Sequence, residues 1–172
     1  DGFAVTLGPG SFTGLRIGIS TVKGLAMAVG KPVAGVSALE ALAAQFVAAA
    51  DLICPLIDAR KGEVYAGVYR CTTDGFVPVI PARVASPEQA VSGVDGPCLF
   101  VGNGAALYRE RISACLGGWA RFAPPVFHRI RADMVAHLGY RHFVAQTAGD
   151  AQAVQPVYIR RPDAEKPPKQ KV

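Results

Sequence analysis

A chain of 172 residues, 51% hydrophobic and 18% charged, has ample core-forming material; that excludes a globally disordered protein and leaves room for one domain or two small ones. The formal charge of +5 is scattered, and part of it sits in the closing EKPPKQKV, where Pro167 and Pro168 bar a helix, so residues 161–172 read as a solvated basic tail. No apolar run approaches the roughly 18 residues of a membrane span and no leader pattern opens the chain, so the sequence reads as cytosolic.

In chain order, FAVTL (Phe3 to Leu7) is a β-rich run closed by the turn Gly8-Pro9-Gly10. A helix follows from Thr13 to Val29, with Gly30 as C-cap and Pro32 as the stop beyond it. PVAGVS (Pro32 to Ser37) is a second strand. Ser37 then caps an alanine-rich helix, Ala38 to Ala50, with Glu40 completing a capping box. Strand, helix, strand and helix at this spacing call for parallel strands with helical crossovers.

At Asp51 the grammar changes. ICPLIDAR, EVYAGVYR and FVPVIPARVA are β-rich runs joined by KG and TTDG turns, too short for anything but antiparallel hairpins. Ser86-Pro87-Glu88 starts a helix, with proline at its first position. CLFVGNG (Cys98 to Gly104) runs strand into glycine turn, a helix spans Ala105 to Leu116, another spans Ala132 to Ala145, and VQPVYIR closes the ordered part. Residues 51–160 thus read as a βββαβα unit and residues 1–50 as the βαβα end of another. The first unit's three strands and helix would take about 50–60 further residues by average element lengths. A start inside a strand, without an initiator Met, fits that reading.

The opening GPGSFTGLRIGIS invites a phosphate, yet its glycines fall at 8, 10 and 14 with Thr13 where GxGxxG needs glycine, and no Gly-Lys-Ser/Thr follows. What remains is a helix N-terminus with hydroxyls at Ser11 and Thr13. Ser11 lies outside a GxSxG elbow and far in sequence from His128, His137 and His142. His137 and His142, five apart, fall on different faces of a helix. Asp58 ends a strand, where a carboxylate can serve chemistry; Asp58-Ala59-Arg60 equally suits a local ion pair. Cys54, Cys71, Cys98 and Cys115 form no CxxC pair, and neighbours such as Ile53 and Leu99 point to buried, reduced thiols.

Wound as a helix, residues 13–29 carry two apolar faces. Leu15, Ile19, Val22, Ala26 and Val29 form the stripe due against a sheet. The opposite side holds Thr13, Ile17, Ser20, Thr21, Gly24, Met27 and Ala28, with charge only from Arg16 and Lys23 on one flank. Glycine inside a helix costs about 1 kcal/mol against alanine, so Gly18 and Gly24 mark a close approach. Either the helix is buried within its own domain or a second protein covers it.

The segment GPGSFTGLRIGISTVKGLAMAVGKPVAGVSALEALA closely resembles the corresponding part of the bacterial TsaB (YeaZ) family, and PLIDARKGEVYAGVYR and VQPVYIRRP look like its second-domain opening and C-terminal segment. The resemblance covers residues 1–160, and family members begin with a βββα segment that this chain lacks. It implies an α/β, actin-like ATPase (ribonuclease H-like) fold of two lobes, residues 1–50 and 51–160. It further implies a non-catalytic scaffold subunit for the threonylcarbamoyladenosine modification of tRNA, paired with a metal-bearing TsaD-like transferase and joined by a TsaE-like ATPase. Alone, such proteins pair as homodimers through first-lobe helices. The matching partner-binding residues here are Thr13, Arg16, Ile17, Ser20, Thr21, Lys23, Gly24, Met27 and Ala28; the second pairing helix belongs to the absent segment. No catalytic, cofactor or metal residue carries over, His137 and His142 included, and the question of nucleotide at a partner interface stays open. The Gly102–Gly104 turn falls where nucleotide-binding relatives place a glycine turn. Older labels for the family are glycoprotease-like. Rival readings are a stand-alone hydrolase or phosphotransferase using Ser11 or Asp58, and direct tRNA binding through Arg160, Arg161 and the basic tail.

Overall fold

Helix capping is local chemistry, and it sets the first helix. In the computed structural model, which describes residues 2–47 and 49–160, β1 (Phe3–Gly8) leads into α1 (Phe12–Val29), where Ser11 accepts a 3.3 Å bond from the Gly14 N–H. Gly30 ends the helix in the left-handed conformation, φ 63°, with Lys31 N–H bonded to Ala26 O at 3.0 Å. β2 (Val33–Ser37) pairs in parallel with β1, as the crossover reading requires. The basic tail at 161–172 lies outside the described residues.

The helix after Ser37 is shorter than the alanine-rich sequence suggests. α2 ends at Ala43 and a 3-10 turn, Ala44–Phe46, replaces its continuation to Ala50. Tertiary contacts win over propensity: the Phe46 ring meets Phe127 edge-on at 5.2 Å, and Gln45 Nε2 donates to Phe127 O and Arg129 O.

Strands β3 (Leu52–Asp58), β4 (Val64–Thr72) and β5 (Gly75–Ala85) form the antiparallel hairpins expected. α3 (Pro87–Val91) starts in a capping box between Ser86 and Gln89. β6 (Cys98–Val101) adds in parallel to β3. The single helix read over Ala105 to Leu116 is two, α4 (Asn103–Leu107) and α5 (Arg109–Leu116), broken at Tyr108, whose ring packs against the core. A strand unmarked by sequence, β7 (Ala120–Phe122), closes the order β5-β4-β3-β6-β7. Three residues are too few for a periodicity signal.

Packing and chain order divide differently at the end of the chain. α6 (Ala132–Val144), grouped by sequence with residues 51–160, lies instead on β1 and β2. A Cβ at Gly139 would fall 2.5 Å from Ala4 Cβ, so glycine over alanine lets the helix approach β1. α2 stands between the two sheets. Leu39 and Leu42 are buried with Ile53 and Val101, while Ala41 packs with Val135 and Leu138 of α6. β3 is buried on both faces, Leu52 and Leu56 joining Phe100 and Ile112 in the largest cluster. Cys54 and Cys98 are buried free thiols and burial pushes both thiol pKa values up, Cys98 to about 12. Cys115, by contrast, is exposed.

Candidate partner face and cleft

α1 carries the two sides that helical spacing gives it, one packed and one open among the described residues, and two residues depart from the pattern. Ile19 and Ala26 are buried and Leu15 and Val22 pack beside them over β1. Val29, assigned to that stripe, is 58% exposed, because the chain turns away at Gly30. On the outer side Thr13, Arg16, Ser20, Thr21, Gly24 and Ala28 are exposed, as are Ile17 (63%) and Met27 (56%). Leu25 is exposed too (53%), on the opposite flank of the outer side from Met27. Lys23 departs from the set: half-buried, its ammonium donates to Gln152 O at 3.0 Å and Val154 O at 3.2 Å. Two carbonyls of the C-terminal stretch hold it, a use no local pattern announces.

The turn after β1 and the turn after β3 face one another across a cleft of about 390 Å³. Gly10, Ser11 and Phe12 line one side, Asp58, Arg60 and Asn103 the other, with Tyr158 and Arg160 also in the wall. The cleft sits at the carboxyl ends of the strands, where open α/β sheets place ligands. It brings together Ser11 and Asp58, far apart in sequence. Ser11 Oγ is engaged as the cap of α1. Asp58 Oδ1 accepts the Arg60 N–H at 2.9 Å and its carboxylate lies 3.9 Å from Arg60 Nε, the local ion pair of the turn. Asn103 Oδ1 accepts the Asp58 N–H at 3.1 Å.

The histidines go elsewhere. His128 Nδ1 accepts the Gly102 N–H at 3.1 Å, which requires the neutral ring; burial, then Arg109, lowers its pKa. His142 Nδ1 lies 2.9 Å from Thr147 Oγ1, and His137 is exposed. Among the described residues no three His, Cys, Asp or Glu side chains gather as a metal site. No helix there is long and apolar enough to cross a membrane. Gly102 sits at φ 104°, and a Cβ on it would lie 2.2 Å from Leu56 O, so this glycine turn is what lets α4 close onto β3.

A five-stranded 3-2-1-4-5 sheet beside a parallel strand–helix–strand unit, with a cleft at the strand ends, defines an actin-like, ribonuclease H-like domain of the TsaD type. The family model described as TsaD, tRNA N6-adenosine threonylcarbamoyltransferase, matches residues 1–167. The tRNA threonylcarbamoyladenosine biosynthesis protein TsaB of Bacillus subtilis is 34% identical over 164 residues, 94% of this chain and 70% of that protein. Its Haemophilus influenzae counterpart is 32% identical over 93% of this chain and 70% of its own. The solved structure of YeaZ from Pseudomonas aeruginosa superposes with a TM-score of 0.79 at 30% identity, covering 92% of this chain and 74% of that one. The chain belongs to the TsaB (YeaZ) family.

Proposed function

We propose that this protein serves in tRNA threonylcarbamoyladenosine biosynthesis as a scaffold without chemistry of its own, docking a TsaD-type transferase on the outer face of α1. The observation that carries the reading is the exposure of Ile17, Leu25 and Met27 on one long helix whose other face is already packed. Solvent-facing helices are ordinarily charged, and a contiguous apolar surface marks a contact. Gly24 adds room, since no atom lies within 4 Å of where its Cβ would stand.

Two lobes form the frame of this reading, and a TsaE-type ATPase joins through the pair rather than through α1. Ser11 spent as a helix cap and Asp58 spent on its own turn support the non-catalytic part. The test is a double charge insertion, Ile17→Asp with Met27→Asp, in a pull-down with the transferase. Lost capture with an unchanged melting temperature is expected; undiminished capture would refute the docking face.

One observation favours a stand-alone hydrolase, the meeting of Ser11 and Asp58 in one cleft. ATP or peptide turnover by the purified chain, abolished by Asp58→Ala, would establish it instead.

A further inference from the structure

The last described stretch, Val154–Arg160, is neither helix nor strand, yet it is fastened along its length. Lys23 Nζ holds Val154 O, and the Val157 N–H donates to Leu7 O at 2.8 Å. Tyr158 accepts a 3.1 Å bond from Arg16 Nε and its ring lies 5.1 Å from that of Phe12, over which the Arg16 guanidinium stacks at 3.9 Å. Arg160 then crosses to the other sheet, donating to Ala59 O at 2.7 Å and to the Glu63 carboxylate. The anchors therefore run from β1 and α1, along one wall of the cleft, to the β3–β4 turn.

That turn needs holding. Arg60, Lys61 and Gly62 have φ of 64°, 56° and 78°, and the first two are residues that rarely adopt the left-handed region. The Ala59 N–H to Glu63 O bond (2.9 Å) and the Glu63 N–H to Arg60 O bond (3.1 Å) close it. Arg160 ties both ends of the same turn from outside, its side chain only 16% exposed.

We propose that Val154–Arg160 is a strap that locks the cleft, with Arg160 as its latch and Tyr158 carrying the state of the latch to the first turn of α1. Seated, the strap fixes the Ser11 turn against the Asp58 turn. Released, it frees Arg16 and Phe12 at the start of the helix and lets the β3–β4 turn relax. A partner that grips the first turn of α1 in its seated arrangement favours the closed latch, and the closed latch favours that grip by an equal free energy. The locking stands on contacts within the chain; the link to docking rests on the function proposed above.

Amide hydrogen exchange on the full 172-residue chain tests both. Arg160→Gln is expected to speed exchange about tenfold or more at Ala59, Glu63, Val157 and Leu15, with Ile53 and Leu56 unchanged. Acceleration confined to Ala59 and Glu63, or none, overturns the strap. Should Arg160→Gln loosen the whole chain, Tyr158→Phe decides: faster exchange at Leu15 and Val157 alone supports the strap, and wild-type exchange there overturns it. Addition of the transferase is expected to slow Ala59 and Glu63, outside the α1 face. Binding without that slowing refutes the coupling; no binding at all refutes the docking reading and leaves the exchange results of the free chain standing.

Discussion

The ammonium of Lys23 lies 3.2 Å from the carbonyl oxygen of Val154, which makes a residue of the partner-facing set a fastener within the chain. Replacing it should separate fold from docking. Lys23→Met keeps the stem and removes the charged donor from the carbonyls of Gln152 and Val154, a loss of about 1–2 kcal/mol in urea unfolding. Affinity for the transferase should stay within about twofold, because Lys23 fastens the strap at Val154, away from the Tyr158 and Arg160 contacts that bear on the latch, and truncations outside a contact are close to neutral.

Gly24 should behave in the opposite way. Nothing lies within 4 Å of its would-be Cβ, so Gly24→Leu meets open space and gains helix propensity worth up to about 1 kcal/mol. The melting temperature should hold or rise while calorimetric affinity for the transferase falls by about tenfold or more. A stabilised variant with full affinity would put the partner elsewhere.

The glycine turn after β6 answers to packing. Gly102→Ala places a methyl 2.2 Å from Leu56 O at a φ of 104°, and should cost about 2 kcal/mol or more in denaturant unfolding. Gly104 meets the same Leu56 backbone at 3.0 Å. An unperturbed Gly102→Ala would show that α4 tolerates a looser approach to β3 than the structure gives it.

Glu40 supplies the pH dependence. Burial raises its pKa above the ordinary carboxylate value, with His142 and Arg141 opposing. The native state therefore holds the proton more tightly than the unfolded chain does. Its contribution to stability is full below the unfolded pKa and declines as pH rises through the folded one. Glu40→Gln should raise the melting temperature near neutral pH, and the gain should shrink as the pH falls below the carboxylate range. A gain independent of pH would assign the effect to something other than charge.

What the sequence made legible was whatever local chemistry determines. Gly30 ends α1 because a C-cap is short-range, and the KG and TTDG turns announce their hairpins for the same reason; the start at Phe12 under a Ser11 cap falls one residue before the Thr13 of the sequence pattern. α2 stops short of its alanine-rich pattern because Gln45 and Phe46 answer to Phe127 and Arg129, some eighty residues on. The place of α6 on β1 depends on Gly139 meeting Ala4, which no periodicity within either element reveals. In the candidate site the apolar outer face of α1 was legible from helical spacing, whereas the diversion of Lys23 was not. Arg160 read as a basic residue near the tail; its partners at Ala59 and Glu63 exist only once the chain has folded back over the cleft.

The docking claim is tested most directly by mixing the protein with its TsaD-type transferase and weighing the product by light scattering on a sizing column. One peak at the summed mass of a one-to-one pair is expected, split again by Ile17→Asp with Met27→Asp. Two separate peaks for the wild-type proteins, with and without nucleotide, would contradict it and return the exposed face of α1 to the chain's own fold.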